Sequence, residues 1–202
     1  MRLTLNSNWR FRIVHLALIL IILIGITSFT EPIDESYNAV TMIDPQDTFP
    51  VPQNIPNQLY YLQRTSNTNT VVYALNIKKD GNLDVDNPVK VFWIRYPEGG
   101  VQKDLSFIQR KFAYGVTHKD KGDGSYTVNM VAYKKHNLTL MKSVLDNKYH
   151  MYTLINNRYA ILNRVFIRID PGGSLFKPNV IYIELKGTDM ENGKVIIERI
   201  KP

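Results

Sequence analysis

The chain has 202 residues, of which 25 are basic and 18 acidic, and it contains no cysteine; its net charge is +7. Without cysteine there is no disulfide framework and no thiolate metal site. Beyond residue 30 the balance is 22 basic minus 18 acidic residues, or +4, and no run of lysine or arginine exceeds two residues. Such a mild charge gives no reason to expect nucleic acid as a partner.

Residues 1–30 form a predicted membrane-targeting segment. Three arginines precede any acidic residue, and residues 13–26 read IVHLALILIILIGI. A basic start, an apolar stretch of about 14 to 17 residues and small residues after it are typical of a secretory signal sequence. A spanning helix needs about 20 apolar residues, so an uncleaved N-terminal apolar helix, anchored through residues 13–29, is the alternative. In either case we expect the remainder of the chain to be exported.

Residues 31–58 are predicted to be an extended linker. They contain five prolines and little periodicity, a composition typical of a tether between a membrane segment and a folded domain. The alternative is an ordered arm, in which FPVPQNIP packs onto the domain through Phe49, Val51 and Ile55.

From Leu59 to residue 202 the pattern predicts one β domain of about eight to ten short strands. Residues 70–78 alternate apolar and polar, which indicates a half-buried strand, and residues 89–96 are apolar on both faces, which indicates a central one. Asp-Gly and Asn-Gly pairs mark hairpin turns. The further predicted strands are residues 126–135, 138–145, 149–155, 158–170, 179–185 and 194–200. This spacing predicts an all-β fold, an antiparallel β-sandwich or a closed barrel.

One short helix is predicted within this series, over Lys103–Phe112. Leu105, Ile108 and Phe112 recur at i, i+3 and i+7, so they would share one helical face and bury it against the sheet. Asp104 could cap this helix, or Ser106 could do so in a capping box with Gln109. We expect the helix to cover an open end or edge of the sheet.

Four stretches of the chain resemble a bacterial envelope family known as domain of unknown function 4833. They are residues 49–76, VFWIRYPEGG, DLSFIQRKFAYGV and RIDPGGSLFKPNVIYIELKGTD. The resemblance runs from Phe49 to the end of the chain. It implies an exported protein in the bacterial envelope and a single compact domain, and it assigns no activity to any residue.

No motif in the sequence indicates a catalytic, cofactor-binding or metal-ligating residue. His118, His136 and His150 lack the spacing of a zinc site. There is no nucleotide-binding glycine motif, and no cofactor is expected. Ser174 follows Gly-Gly in an ordinary turn sequence, which does not indicate a nucleophile.

The acidic residues of the loops are interpreted as turn formers. Residues 84–87 and 120–123 carry aspartates and asparagine that could offer oxygen atoms to calcium. Neither stretch matches a calcium-binding loop, whereas aspartate beside glycine is common in turns. Glu98 and Asp104 are the acid pair that a glycoside hydrolase would require near the aromatic residues.

One polar cluster is geometrically possible at the end of the central strand. Strand alternation places Arg95 just before the turn at residues 98–100, and the predicted helix could return near it. The candidate site formed in this way consists of Arg64, Arg95, Glu98, Arg110 and Tyr114. The alternative is a solvated rim of salt bridges with little energetic weight.

Three functions fit these observations. The first is a non-catalytic envelope module that binds a protein or a surface polymer through an exposed sheet face or edge. The second is a small carrier whose barrel encloses an apolar ligand. The third is a hydrolase with a site assembled from distant residues. In each case the protein would lie in the periplasm or be attached to the inner membrane by its N-terminal segment.

Overall fold

A computed structural model describes residues 49–173 and 178–201. The predicted apolar segment, most of the predicted linker and Ser174 lie outside these residues. The described chain contains the strands β1 Gln58–Arg64, β2 Asn67–Leu75, β3 Val89–Arg95, β4 Val101–Asp104, β5 Val116–Asp120, β6 Tyr126–Met130, β7 Tyr133–Lys142, β8 Tyr149–Ile155, β9 Arg158–Asp170, β10 Asn179–Asp189 and β11 Val195–Ile200. A one-turn helix, α1 Phe107–Gln109, lies between β4 and β5.

All strands belong to one sheet, which is curled. Its path runs β4-β3-β2-β1-β9-β8-β7-β6-β5, and β10 and β11 extend it from β9. The long strand β9 is the junction, because β10 pairs along most of its length. Its other edge is shared: β8 pairs with the first residues of β9, and β1 pairs with a later part. From this shared edge the sheet continues in two directions, through β1 to the end strand β4 and through β8 to the end strand β5.

The predicted fold class is confirmed as all-β with one short helix. In the described part of the chain the pairing of β1 with β9 is the one parallel pair. The described residues contain eleven strands. Eight of them correspond to the strand ranges predicted from the sequence, and β1, β4 and β5 are additional. The ends of the path, β4 and β5, are not paired with each other in the described sheet, so the sheet is curled without being closed into a barrel.

The main core fills the inside of this curl. The largest fully buried side chains of this core include Tyr60, Tyr73, Leu138, Met151 and Leu162. The rings of Tyr60 and Tyr73 stack with centroids 4.3 Å apart. Aromatic rings combine a large apolar area with a fixed shape, so these residues fill the space that an enclosed ligand would need.

A second, smaller core lies on the opposite face of β2 and β3. Val72, Ala74, Phe92 and Ile94 are buried there, and Ile55 packs against them. The residues before β1 therefore contact the sheet. The Phe49 ring meets the Phe166 ring edge-on at 5.6 Å, as the ordered-arm alternative expected. We call residues 49–57 the arm.

The arm explains why β2 differs from its sequence pattern. Alternation predicted a strand with one buried face, yet every residue from Thr70 to Leu75 is buried. Val71 and Tyr73 face the main core, as expected, whereas Val72 and Ala74 are covered from the other side. The Gln63 side-chain amide also donates a hydrogen bond to the Pro50 carbonyl over 2.9 Å, which fixes the arm to β1.

Most predicted turns are present. Asn156 and Asn157 both have positive φ values, 50° and 60°, as a two-residue hairpin turn requires. Among the helices of the described residues, none is long and apolar enough to cross a membrane.

Candidate functional site

The polar cluster is assembled in part. Arg95 and Glu98 form an ion pair with 2.7 Å between Nη2 and Oε1, and Lys103 on β4 binds the second carboxylate oxygen. All three side chains are more than a third exposed, so this group forms a solvated rim. Exposed pairs of this kind contribute little to stability.

The other three predicted members are not joined to this pair. Arg64 ends β1, Arg110 is exposed at the start of a π-helical turn, and Tyr114 is half-buried at its end. Among the hydrogen bonds and ion pairs of the described residues, none links the side chains of these three to Glu98 or Arg95. The structure therefore brings two of the five residues together and adds Lys103.

Glu98 is poorly suited to acid catalysis. The hydrogen bond from Lys103 and the charge of Arg95 lower the pKa of the Glu98 carboxyl. A general acid needs a pKa near the working pH, which is the opposite shift. Arg95, Glu98 and Lys103 therefore form an ordinary group of surface ion pairs.

The helix between β4 and β5 is fixed by a capping box. The Gln109 backbone amide donates to Ser106 Oγ, and the Ser106 amide donates to Gln109 Oε1 over 3.0 Å. Ser106 is therefore the N-cap residue of this helix, as one of the two sequence alternatives predicted. The same Gln109 oxygen accepts a hydrogen bond of 3.3 Å from Trp93 Nε1, which joins the helix to β3.

The residues from Leu105 to Gly115 form one unit, which we call the cap. After one α-helical turn the chain continues as a π-helical turn over Arg110–Tyr114. The turn ends at Gly115. This position requires glycine, because a Cβ atom there would lie 2.0 Å from the Arg110 carbonyl oxygen. The cap connects β4 to β5, the two end strands of the sheet path.

The inner side of the cap is anchored to the core. Leu105 is buried, and the Tyr114 ring meets the Trp93 ring edge-on at 5.0 Å. The Tyr73 hydroxyl donates to the Tyr114 carbonyl over 2.9 Å. These contacts tie both ends of the cap to β2 and β3.

The outer side of the cap is apolar and open to solvent. Phe107 is 72% exposed, and Ile108 and Phe112 are each 57% exposed. The prediction of a buried stripe formed by Leu105, Ile108 and Phe112 was therefore wrong for two of its three members. Leu105 lies before the helix, and the π-helical turn departs from the 3.6-residue repeat on which the stripe depended.

A cation sits among these exposed rings. Lys111 Nζ lies 5.5 Å from the centroid of the Phe107 ring and 5.4 Å from that of Phe112. Both distances are within the range of cation–π attraction. We call Phe107, Ile108, Lys111 and Phe112 the cap face. Helical periodicity did not predict this surface, although the sequence places Phe107 and Phe112 on either side of Arg110 and Lys111.

A group of charges that sequence analysis also missed lies on the arm side of the sheet. Glu184 is 3% exposed and accepts from Arg199 Nε over 2.8 Å. Arg164 Nη2 lies 3.6 Å from the other Glu184 oxygen, and its guanidinium lies over the Phe166 ring. Burial of a carboxylate requires such partners, so this group has a structural explanation.

The aspartates considered as calcium ligands accept hydrogen bonds from backbone amides of their own turns. The Gly122 amide donates to Asp120 Oδ1, the Ser125 amide to Asp123 Oδ1 and the Asp86 amide to Asp84 Oδ1. Side chains of this type commonly close turns in this way. Within residues 49–173 and 178–201, no three His, Asp or Glu side chains are grouped as a metal ion would need.

Comparison with known proteins gives one match. A family model described as Domain of unknown function (DUF4833) matches residues 60–199. Neither the curated proteins nor the solved structures contain a match to this chain.

Proposed function

Because this chain belongs to the DUF4833 family, for which no function is assigned, we propose a role from its geometry: a non-catalytic binding module that contacts its partner through the cap face. The proposal includes export to the bacterial cell envelope. Its support is the apolar leader with its basic start and the proline-rich stretch that follows. The protein would act in the periplasm, free or held at the inner membrane by residues 13–29.

The exposure of the cap face is the observation that carries this proposal. Three large apolar residues within a stretch of six are each more than half exposed to solvent. Clustered apolar exposure of this kind marks interaction sites more often than chance, whereas single exposed residues are ordinary. The cap is held by Trp93, Gln109 and Tyr114 on its inner side, so the fold itself does not require apolar residues on the outer side.

The cap face, rather than the β11 edge of the sheet, is the proposed contact. The edge strand β11 is partly occupied, because the Asn156 side chain donates to the Ile197 carbonyl over 2.9 Å. The Asn156 backbone amide also binds Glu198. Side chains that fill an edge in this way hinder the addition of another strand.

The two other functions have less support. A carrier needs an internal cavity, and large side chains such as Tyr60 and Tyr73 occupy the inside of the curl. A hydrolase built around Glu98 needs a carboxyl that holds its proton, and the ion pairs of this residue favour its charged form.

Site-specific photo-crosslinking in the producing cells tests the proposal. A photoreactive amino acid replaces Ile108 in the full chain, and in a second strain it replaces Leu145. Leu145 is a matched control because it is 83% exposed in a different turn. We expect ultraviolet light to give covalent adducts from position 108 and only background from position 145.

Mass spectrometry of the adduct then identifies the partner as a lipid, a polymer or a protein. Equal adduct yields at the two positions, or none at position 108, would contradict contact through the cap face. Replacement of Phe107 and Phe112 by serine should lower the yield from position 108, since it removes the apolar contact area.

A further inference from the structure

The size of the cap face restricts what it can bind. With roughly 200 Å² for a fully exposed large side chain, the three apolar residues expose about 370 Å² in total. A stable protein interface buries about 800 Å² on each partner. The cap face lies within one short segment, a one-turn helix followed by a π-helical turn. These features fit insertion into a soft, extended surface better than docking to a second protein.

The charge of the cap face points to an anionic surface. Arg110 and Lys111 are both exposed on the π-helical turn, and Lys111 is held between two phenylalanine rings. Aromatic and aliphatic side chains next to basic ones are the pattern of segments that lie in the membrane interface. Rings enter the boundary of headgroups and acyl chains, while basic side chains stay with the phosphates. Asp104 is the nearest acidic residue in the sequence.

A second exposed apolar turn carries an acidic residue directly beside its apolar side chains, with the exposed Lys142 and Lys148 on either side. Val144 and Leu145 are 98% and 83% exposed, but Asp146 follows them directly, and its carboxylate is hydrogen-bonded to His150 Nε2 over 2.7 Å. Hydrogen bonds from Lys148 and His150 lower the pKa of the Asp146 carboxyl, so it is charged at neutral pH. This turn offers apolar area beside a negative charge and is therefore a stringent comparison for the cap face.

We propose that the cap face binds the surface of a membrane that contains anionic phospholipids. Phe107, Ile108 and Phe112 enter the interface between headgroups and acyl chains, and Arg110 and Lys111 contact lipid phosphates. This inference rests on the proposed function and names its partner. In the uncleaved alternative, the predicted apolar segment at residues 13–29 would also hold the domain at a membrane.

A fluorescent label on a single cysteine tests this assignment. The natural chain has no cysteine, so Ile108→Cys and Leu145→Cys in the full chain each give one site for an environment-sensitive dye. Each protein is mixed with vesicles of phosphatidylcholine alone or with added phosphatidylglycerol, and bromine-labelled acyl chains serve as the quencher. We expect blue-shifted, quenched emission from position 108 with the anionic vesicles only, and unchanged emission from position 145.

The signal is local to the dye, so attachment of residues 13–26 to a vesicle does not produce it at position 108 alone. Replacement of Arg110 and Lys111 by glutamine should lower the ratio of inserted to water-exposed label about 25-fold, roughly fivefold per charge. Phe112→Cys gives a second reporting position if Ile108→Cys does not fold.

Emission that stays unquenched at positions 108 and 112 with anionic vesicles would overturn the lipid assignment. Equal quenching at positions 108 and 145, or equal quenching with both vesicle types, would overturn it as well. If quenching fails while crosslinking in cells captures a protein from position 108, the proposed binding module stands and its partner is that protein. Failure of both experiments removes the proposed function itself.

Discussion

Arg158 forms an ion pair with Asp189 where β9 begins beside the end of β10. The Asp189 side chain is fully buried, and its other oxygen accepts from the Glu191 amide. Arg158→Ala leaves this buried carboxylate without its cation, and since Arg158 is itself partly exposed we expect a loss of about 1–3 kcal/mol in the free energy of unfolding. Denaturant titration measures it.

Arg168→Ala is the matched control for that prediction. Arg168 forms an ion pair with Asp170 over 3.0 Å, with both side chains more than a third exposed. Exposed pairs contribute about 0–1 kcal/mol. Equal losses for the two variants would show that burial of Asp189 is not what makes its pair important.

His136 predicts a pH dependence of stability. Burial lowers the pKa of its imidazole from the ordinary value of 6.5, and the charge of Glu198 opposes this only in part. Between the lowered pKa and 6.5 the unfolded chain binds more protons than the folded one, so stability falls as pH falls through this window. We expect His136→Gln to show a smaller drop in melting temperature than the natural chain from about pH 7.5 to about pH 5.5.

His118→Gln provides the comparison, because His118 is exposed on β5. It should retain the full pH dependence of the natural chain. An unchanged pH dependence in His136→Gln would assign the effect to other groups.

At the scale of elements, Gln109 links the helix of the cap both to its N-cap residue and to β3. Gln109 Oε1 accepts from both the Ser106 amide and Trp93 Nε1. Gln109→Ala removes both bonds, and we expect it to cost about 1–2 kcal/mol of unfolding free energy. Gln102→Ala, at an exposed position of β4, should cost less than about 0.5 kcal/mol. A similar small value for Gln109→Ala would mean that the cap is held by its apolar contacts alone.

The arm is the second element with a distinct prediction. Phe49 contacts Phe166, and Ile55 packs on the small core formed by Val72 and its neighbours. Replacing both arm residues with alanine should lower the unfolding free energy by about 2–4 kcal/mol, because partly buried apolar contacts are lost.

Val51→Ala is the control for the arm, since the Val51 side chain is 49% exposed. We expect a change below about 0.5 kcal/mol. If the double alanine variant were as stable as Val51→Ala, the arm would be a linker, as its proline content first indicated.

At the scale of the whole molecule, local patterns predicted elements better than their arrangement. The bounds of β8 and β9 follow the predicted strands, and the capping box at Ser106 located the helix. These signals are short-range and depend on turn chemistry and side-chain alternation. The parallel pairing of β1 with β9 joins residues about one hundred positions apart, and no local pattern encodes it.

The candidate site shows the same division. Arg95 and Glu98 are three residues apart, so their contact followed from the local turn. Arg64 lies on another strand, and its position relative to Arg95 depends on the curl of the sheet. The cap face was misjudged because periodicity assumes a regular α-helix, whereas the chain widens into a π-helical turn after Gln109.

We expect the cap face to be covered by a partner in the cell. Thiol labelling tests this coverage directly, since Ile108→Cys creates the one thiol in the chain. A maleimide should react with position 108 several-fold more slowly in producing cells made permeable to the reagent than in the purified protein. Leu145→Cys should react at the same rate in both. Equal rates at position 108 in cells and in purified protein would show that no partner covers the cap face.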